Sequence, residues 1–258
     1  MSTSVNTIEV TLENVEKSGF FCFMSKKKSP GYAQKLKWLK ERFTEGLKIK
    51  MLQLPERGFI EYIPGEYAWR PVKAEGYMVI HCLWVVGKSR GKGFSRLLLD
   101  MCEQDARSAG MNGVVAVSSQ GSWLLGKELF IDSGYTAVAC AAPSFTLLVK
   151  KFKDAPDPSF SRDWNKVDKT DEKSMIIFRT NQCPYIEDAT RIFEDATIKR
   201  GVPSRVVSLN SAREVQELSP SAYGTFGVTV AGELFSYCYL TESQIDQKWM
   251  EFDKTGLK

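Results

Sequence analysis

Three stretches of the chain carry residues whose types and spacing could do chemistry. The first is Val85-Val86-Gly87-Lys88-Ser89-Arg90-Gly91-Lys92-Gly93-Phe94-Ser95, which ends an apolar run, turns through glycines and opens an amphipathic segment. Such a turn aims backbone N–H groups and the positive end of a helix dipole at one spot, which suits a pyrophosphate. Arg90 and Lys92 add charge there, although a solvated basic loop explains a lone Gly-Lys-Gly equally well. Spacing excludes two phosphate loops: Lys92 is followed by Gly93 where a P-loop needs Ser or Thr, and a dinucleotide fingerprint starting at Gly91 needs a glycine where Arg96 stands. The second group is His81, the single histidine, and Glu61, two side chains able to move a proton. Strict alternation puts His81 on the face shared by Leu83 and Val85; a satisfied core histidine and a solvated strand carboxylate are the plain alternatives. The third is Cys183-Pro184-Tyr185-Ile186, between a predicted strand and a predicted helix, where the helix N-terminus would depress the thiol pKa.

The elements that must position these groups follow from apolar periodicity. A strand is predicted near Thr7–Thr11, then a helix over Gly31–Phe43 with the stripe Tyr32, Leu36, Leu39 and Phe43. Strands follow at Leu47–Leu54, Gly58–Ile63 and Tyr77–Val86. A helix spans about Phe94–Ala109, with Leu97, Leu98, Met101, Cys102 and Ala106 on one side and Gly110 as its stop. Strand Val114–Ser118, a short helix around Trp123–Ile131 and a hairpin over Thr136–Val149 complete this region. Lys153–Lys173, rich in charge with Pro156 and Pro158, reads as a linker or a loosely packed crossing segment. Beyond it come strand Met175–Phe178, helix Tyr185–Thr197, strand Arg205–Leu209, helix Ala212–Glu217 and the pair Thr225–Val230 and Leu234–Tyr239. That order describes a second, small α/β unit.

Composition narrows the class of protein. With 258 residues, 43% hydrophobic and 26% charged, this is an ordinary folded chain rather than a disordered, collagenous or coiled-coil one. Thirty-five Lys and Arg against 31 Asp and Glu give +4, too mild to argue for nucleic acid or an anionic membrane. Tyr77–Val86 is too short to span a bilayer, and Met1–Val10 lacks a secretory layout, so a cytoplasmic protein is expected. Six scattered cysteines, none two apart, point to reduced thiols and to no metal site. Lys26–Lys50 holds nine basic and two acidic residues; it reads as a solvated lysine face or as an attractor for an acidic substrate or phosphates.

On these residues the chain resembles the GNAT N-acetyltransferases. Their acetyl-CoA loop follows Arg/Gln-x-x-Gly-x-Gly/Ala; Arg90 and Gly93 match, and Ser95 replaces the last small residue. Leu129-Phe130-Ile131-Asp132-Ser133-Gly134-Tyr135 resembles the family's second cofactor segment, an aromatic four residues before a Gly-aromatic pair. Gly58-Phe59-Ile60-Glu61-Tyr62-Ile63-Pro64-Gly65-Glu66-Tyr67-Ala68-Trp69-Arg70 is similar to a subgroup carrying a C-terminal thioredoxin-like, YoaP-type domain. The resemblance covers nearly the whole chain. It implies an α/β protein with a GNAT domain over 1–152, a mixed, mostly antiparallel sheet flanked by helices, then a linker over 153–172 and a thioredoxin-like domain over 173–258.

The implied activity is acetyl transfer from acetyl-CoA to a small-molecule or peptide amine by direct attack in a ternary complex, without metal, nucleic acid or membrane. The backbone amides of Val85 and Val86 would hold the thioester carbonyl, and Arg90, Gly91, Lys92, Gly93, Phe94 and Ser95 would cradle the pyrophosphate. His81 stands where arylalkylamine-type members place a base, which predicts a rate limb near pH 6–7; Glu61 is the second candidate. Phe130 replaces the tyrosine that usually protonates the leaving thiolate. Water or another hydroxyl then serves, the thiolate leaves unaided, or the chain keeps its acetyl-CoA pocket as a sensor or scaffold. Cys183-Pro184-Tyr185-Ile186 resembles the glutaredoxin Cys-Pro-Tyr-Cys with the resolving cysteine lost, and Thr225-Phe226 stand where a cis-proline is usual. A docking or substrate-shaping module is therefore expected there, with monothiol redox chemistry at Cys183 as the rival.

Overall fold

The computed structural model describes residues 5–121, 123–164 and 174–254. Along the chain come β1 (Thr7–Val10), α1 (Val15–Ser18), α2 (Pro30–Phe43), β2 (Lys48–Leu52), β3 (Gly58–Pro64), β4 (Val72–Lys73), β5 (Met78–Val85), α3 (Phe94–Ser108) and β6 (Gly113–Ser119). Then follow α4 (Glu128–Ile131), β7 (Thr136–Ala141), β8 (Phe145–Lys151), β9 (Ser159–Phe160), β10 (Met175–Arg179), α5 (Ile186–Arg200), β11 (Ser204–Ser208), α6 (Ala212–Leu218), β12 (Phe226–Val230), β13 (Glu233–Ser236) and α7 (Glu242–Lys254). A seven-stranded sheet runs in the order β1-β2-β3-β5-β6-β8-β7, antiparallel except for the β5/β6 pair. A four-stranded sheet runs β11-β10-β12-β13, with β10 and β11 parallel and the other pairs antiparallel. This mixed α/β architecture, helices on a largely antiparallel sheet, is what the sequence leads one to expect of the first 150 residues.

Local sequence explains how the helices start and which faces they bury. Ser29 caps α2, its Oγ accepting from the Tyr32 N–H at 3.3 Å, and Pro30 occupies the first turn, where its missing N–H costs nothing. α2 buries Tyr32, Trp38 and Leu39 against one face of the large sheet. α3 buries Leu98, Leu99, Cys102 and Ala106 against the other. The core on the α2 side continues without a break into the small sheet, through Phe193, Phe226, Val228 and Phe235.

β5 and β6 pair only over Met78–Ile80 and Val114–Ala116, while β5 continues to Val85 and stays paired with β3 on its other edge. The two strands therefore part, and the end of β5 faces a gap. Among the described residues no helix is long and apolar enough to cross a membrane.

Several elements differ from the sequence-based expectation. The predicted helix around Trp123–Ile131 is helical only over Glu128–Ile131, because Trp123 takes a left-handed φ of 78° that breaks the turn. The described part of the expected linker is packed rather than loose: Ser159–Phe160 pairs with Val72–Lys73, and Trp164 Nε1 donates to the Ser219 carbonyl at 2.9 Å. Residues 165–173 of that segment lie outside the described residues. Helix α7 lies beyond the predicted elements, although Thr241 and Gln244 form a reciprocal cap, and Ile245, Trp249 and Phe252 recur at helical spacing.

The two sheets meet where Gly31, at the start of α2, runs against the Pro184 carbonyl; a Cβ there would lie 2.2 Å from that oxygen. Gly31→Ala should force the two apart and destabilise the chain by about 1–3 kcal/mol, as overpacking does. Urea unfolding measures it, and a variant as stable as the parent would show that this contact is not held in solution.

Candidate active site

A bulge in β5 decides what the site can do. Glu61 of β3 pairs with Cys82 and Tyr62 with Ile80, so His81 is the extra residue opposite the step. Ile80 and Leu83 consequently both enter the α3-side core, whereas His81, Cys82 and Trp84 line a cavity on the other face. The expected sharing of a face by His81, Leu83 and Val85 is thus corrected; alternation fails at a bulge. His81 is 1% exposed, and its Nε2 accepts from the Trp69 backbone N–H at 3.0 Å. Nδ1 then carries the proton and faces Glu61 Oε1 at 3.4 Å. Burial lowers the His81 pKa to about 4 despite the neighbouring carboxylate.

Glu61 is not a solvated strand residue but is 3% exposed. Lys35, from the buried face of α2, reaches its Oε2 at 2.6 Å. Burial favours the protonated acid, yet Lys35 and His81 outweigh it and hold the Glu61 carboxyl at about 2. Lys35 also lies 4.2 Å from the Trp38 ring centroid. The basic stretch expected to be a solvated face therefore sends at least this lysine inward.

The cavity, about 890 Å³, lies between the two sheets. Arg70 on its wall donates to the backbone carbonyls of Tyr223 and His81 and, at 2.8 Å, to Thr225 Oγ1. Gln182, Cys183, Tyr185 and Tyr223 complete the wall from the small-sheet side. An aromatic rim joins three distant segments: Phe23 meets Tyr185 at 4.4 Å between centroids, and Trp123 meets Tyr185 at 5.3 Å. Of the four non-glycine residues with positive φ among the described residues, Phe21, Phe23 and Trp123 line this cavity, so backbone strain is concentrated there.

The glycine loop lies beyond the end of β5. Gly91 (φ 74°) and Gly93 (φ 80°) take left-handed backbone, with open space where a side chain would be. Gly93 precedes α3, whose N-terminus has no side-chain cap, so its first amides point at unobstructed space. Glu56 pins the loop from behind, accepting from Ser89 Oγ at 2.6 Å and Lys92 Nζ at 2.8 Å. Of the two amides expected to hold a carbonyl, Val86 N–H donates to Arg57 O at 3.1 Å and is spoken for. Alternation turns the Val85 N–H to the opposite edge, into the gap left by β6, the edge on which Arg90 Nε meets the Val85 carbonyl at 3.2 Å.

Phe130 is 2% exposed and packs edge-on against Tyr135 in the α3-side core, away from the cavity. Cys183 does line the cavity, but burial pushes its thiol up to about 11, against the lowering expected from a helix N-terminus. Cys22 and Cys82 share that cavity, and burial raises both. Among the described residues no cluster of three or more His, Cys, Asp and Glu could hold a metal ion.

The structure thus brings His81 and Glu61 together with the end of β5 at the cavity, while Arg90–Ser95 lie outside its lining, joined to it through the end of β5. Sequence reasoning missed Lys35 and the role of Arg70. Lys35 sits three residues after Tyr32 and four before Leu39, inside the apolar stripe, and a charge in that position was the available signal.

No protein-family model matches the chain. It is 33% identical over 233 residues to the uncharacterized N-acetyltransferase YoaP of Bacillus subtilis (strain 168), covering 89% of this chain and 92% of that one. Among solved structures it is similar to the ribosomal-protein-alanine N-acetyltransferase from Brucella melitensis (14% identity, TM-score 0.43, 57% of this chain and 99% of that chain). It is also similar to the PaiA N-acetyltransferase from Thermoplasma acidophilum in complex with coenzyme A (14% identity, TM-score 0.39, 58% and 99%).

The buried histidine makes stability depend on pH. Its folded pKa, about 4, lies below the ordinary 6.5, so its contribution is complete above pH 6.5 and is lost as pH falls toward 4, up to about 3 kcal/mol. Glu61, held at about 2, adds a second loss below pH 4.5. Unfolding free energies between pH 7 and 4 should therefore fall in the parent and much less in His81→Gln. Parallel curves for the two proteins would refute the buried neutral histidine.

Proposed function

We propose that this chain, which belongs to the GNAT N-acetyltransferases of the YoaP family and is thus an acyltransferase, moves the acetyl group of acetyl-CoA to an amine held in the cavity between the two sheets. The observation that carries this reading is the parting of β5 and β6, which leaves the Val85 edge open beside the cavity wall formed by Trp84 and Val86 and upstream of the uncapped α3 N-terminus.

The residues fit the cosubstrate. Bound acetyl-CoA would supply the activated acyl carbonyl. The amides at the start of α3 and the Arg90 guanidinium would bind its pyrophosphate, with close approach allowed by the bare Cα atoms of Gly91 and Gly93. The Val85 N–H would hold the carbonyl oxygen and stabilise its developing charge. Glu61, ionised and reachable from the cavity, draws in the acceptor's ammonium group.

His81 is a positioning residue in this scheme. Its Nε2 is occupied by Trp69, and its Nδ1 stands 3.4 Å from Glu61 Oε1, where its ring fixes the wall beside the carboxylate. With His81 near 4 and Glu61 near 2, neither is matched to take a proton at neutral pH, so the amine loses its proton to water before attack. Phe130 offers no hydroxyl and faces the other core, so the departing thiolate is protonated by water as well.

Residues 175–254 form a thioredoxin-like module in this reading, supported by the order β11-β10-β12-β13 with β10 and β11 parallel and by the helices between them. Its part is to wall the acceptor site. A protonated Cys183 without a partner at Ile186 gives no support to redox chemistry.

Calorimetry with acetyl-CoA tests the loop: Arg90→Ala and Gly93→Val should each weaken binding at least about tenfold, the first by loss of a charge-assisted contact, the second by a branched side chain on left-handed backbone in the path of the pyrophosphate. Unchanged affinity in both would remove the acetyl-CoA assignment. The proton path is read from kcat/KM against pH for an amine that the enzyme turns over. The rate should climb about tenfold per pH unit up to the amine's own pKa, with no enzyme limb at 6–7. A limb there that vanishes in His81→Gln would restore His81 as the base.

A further inference from the structure

The cavity carries a buried cation without a carboxylate. Arg70 is 3% exposed, and every acceptor it uses is neutral: two backbone carbonyls and the Thr225 hydroxyl. Its Nε–H is buried with no partner. Among the described residues no carboxylate lies within ion-pairing distance of it. Glu61, the cavity's acidic group, accepts from Lys35 through one oxygen, faces His81 Nδ1 with the other and makes no ion pair with Arg70. Thr225 cannot act as a hidden anion, since its hydroxyl donates to Gln182 Oε1 at 3.0 Å. With His81 neutral, the buried ionisable groups here are two cations, Lys35 and Arg70, against one carboxylate. A guanidinium taken out of water with an unfilled donor is costly unless an anion completes it.

We propose that Arg70 is the binding site for an acidic group of the amine acceptor, so that the substrate class is a small amine bearing a carboxylate or phosphonate-type anion. This rests on the acetyl-transfer reading above. Glu61 and Arg70 contact the same residue, His81, one facing its ring and the other bonded to its carbonyl. A molecule whose anion meets Arg70 therefore lies beside the Glu61–His81 pair, in the part of the cavity where the acceptor's ammonium would meet Glu61. The rim of Phe21, Phe23, Trp84 and Trp123 suits an apolar or aromatic body. Arg57 and Lys26 at the mouth favour entry of a molecule carrying negative charge. Thr225 and the Tyr223 carbonyl hold the guanidinium from the small-sheet side, which gives that half of the chain a direct part in recognition.

The test uses the full chain and two probes of one shape, phenylacetate and its neutral amide phenylacetamide, with benzylphosphonate as a third arm. Binding is followed by calorimetry and by the ¹⁵Nε signal of Arg70, assigned with Arg70→Lys. Phenylacetate or benzylphosphonate should bind at least about tenfold more tightly than the amide, and should shift the Nε resonance where the amide does not. The tighter acid names the preferred anion. Arg70→Gln should abolish the preference; if that variant does not fold, the acid-against-amide comparison and the parent Nε shift still decide. Equal binding of acid and amide, binding of neither, or an unmoved Nε signal would overturn the proposal. Acetyl-CoA is titrated into the same samples: a protein that binds the acids but not acetyl-CoA would refute acetyl transfer and leave the anion site standing, and the converse would do the opposite.

Discussion

The structure depends on one buried carboxylate. Glu61 lies 3% exposed between Lys35 from α2 and His81 from β5, and each partner is itself buried. A lone carboxylate there would be forced to take up a proton, and a lone lysine to lose one. Together they remain charged only while α2, β3 and β5 keep their register. His81 extends the chain of constraints in two directions: its ring accepts from Trp69, and its carbonyl accepts from Arg70, which is bonded to Thr225 on the small-sheet side. One chain of polar contacts thus runs from the large sheet to the small one through the core, beside others such as Ser119–Tyr237 and Gln34–Arg179. Such a network is weak evidence for net stability, but it penalises every arrangement in which one member is missing.

Much of this was legible in the chain, and the failures have physical causes. Strands β2, β3, β5 and β6 and helices α2, α3 and α5 follow from periodicity, because each buries one face against a core and its apolar residues must recur on that face. The glycine loop was legible because the need for left-handed backbone selects residue type directly, as Gly91 and Gly93 show. The face of His81 was not legible, since a bulge adds a residue without leaving a mark in an apolar strand. Lys35 and Arg70 were hidden for a different reason: a charge within an apolar pattern is read as an exception on the surface until its partner, 26 residues away for Lys35 and 155 away for Arg70, is brought to it by the fold. The lowered thiol pKa expected at Cys183 failed because a short approach to a helix end cannot offset its removal from water against the cavity wall.

The site divides its work between the edge and the face of one strand. The open edge of β5 offers the Val85 amide toward the gap beside β6, while the face beyond the bulge offers His81, Cys82 and Trp84 to the cavity. If β6 had stayed paired beyond Ala116, the edge would be consumed by ladder hydrogen bonds; without the bulge, His81 would point into the α3-side core and Glu61 would lose a neighbour. Two local irregularities in one strand therefore do what no regular strand could, presenting a donor sideways and a polar cluster downward within a few residues.

The small sheet adds the final constraint on what may enter. Before α5 stands one protonated thiol, Cys183, and before β12 stands Thr225, whose hydroxyl both accepts from Arg70 and donates to Gln182. A proline at 225 would have no side-chain oxygen, and the guanidinium would lose an acceptor that it cannot replace from solvent. A second cysteine at 186 would stand where Ile186 now packs into the shared core at 4% exposure. Thr225 thus forms part of the cavity wall and Ile186 packs in the core cluster beside it. The polar geometry around Arg70 exists only when both halves of the chain are present. That dependence makes the small sheet part of the cavity rather than an appendage to it.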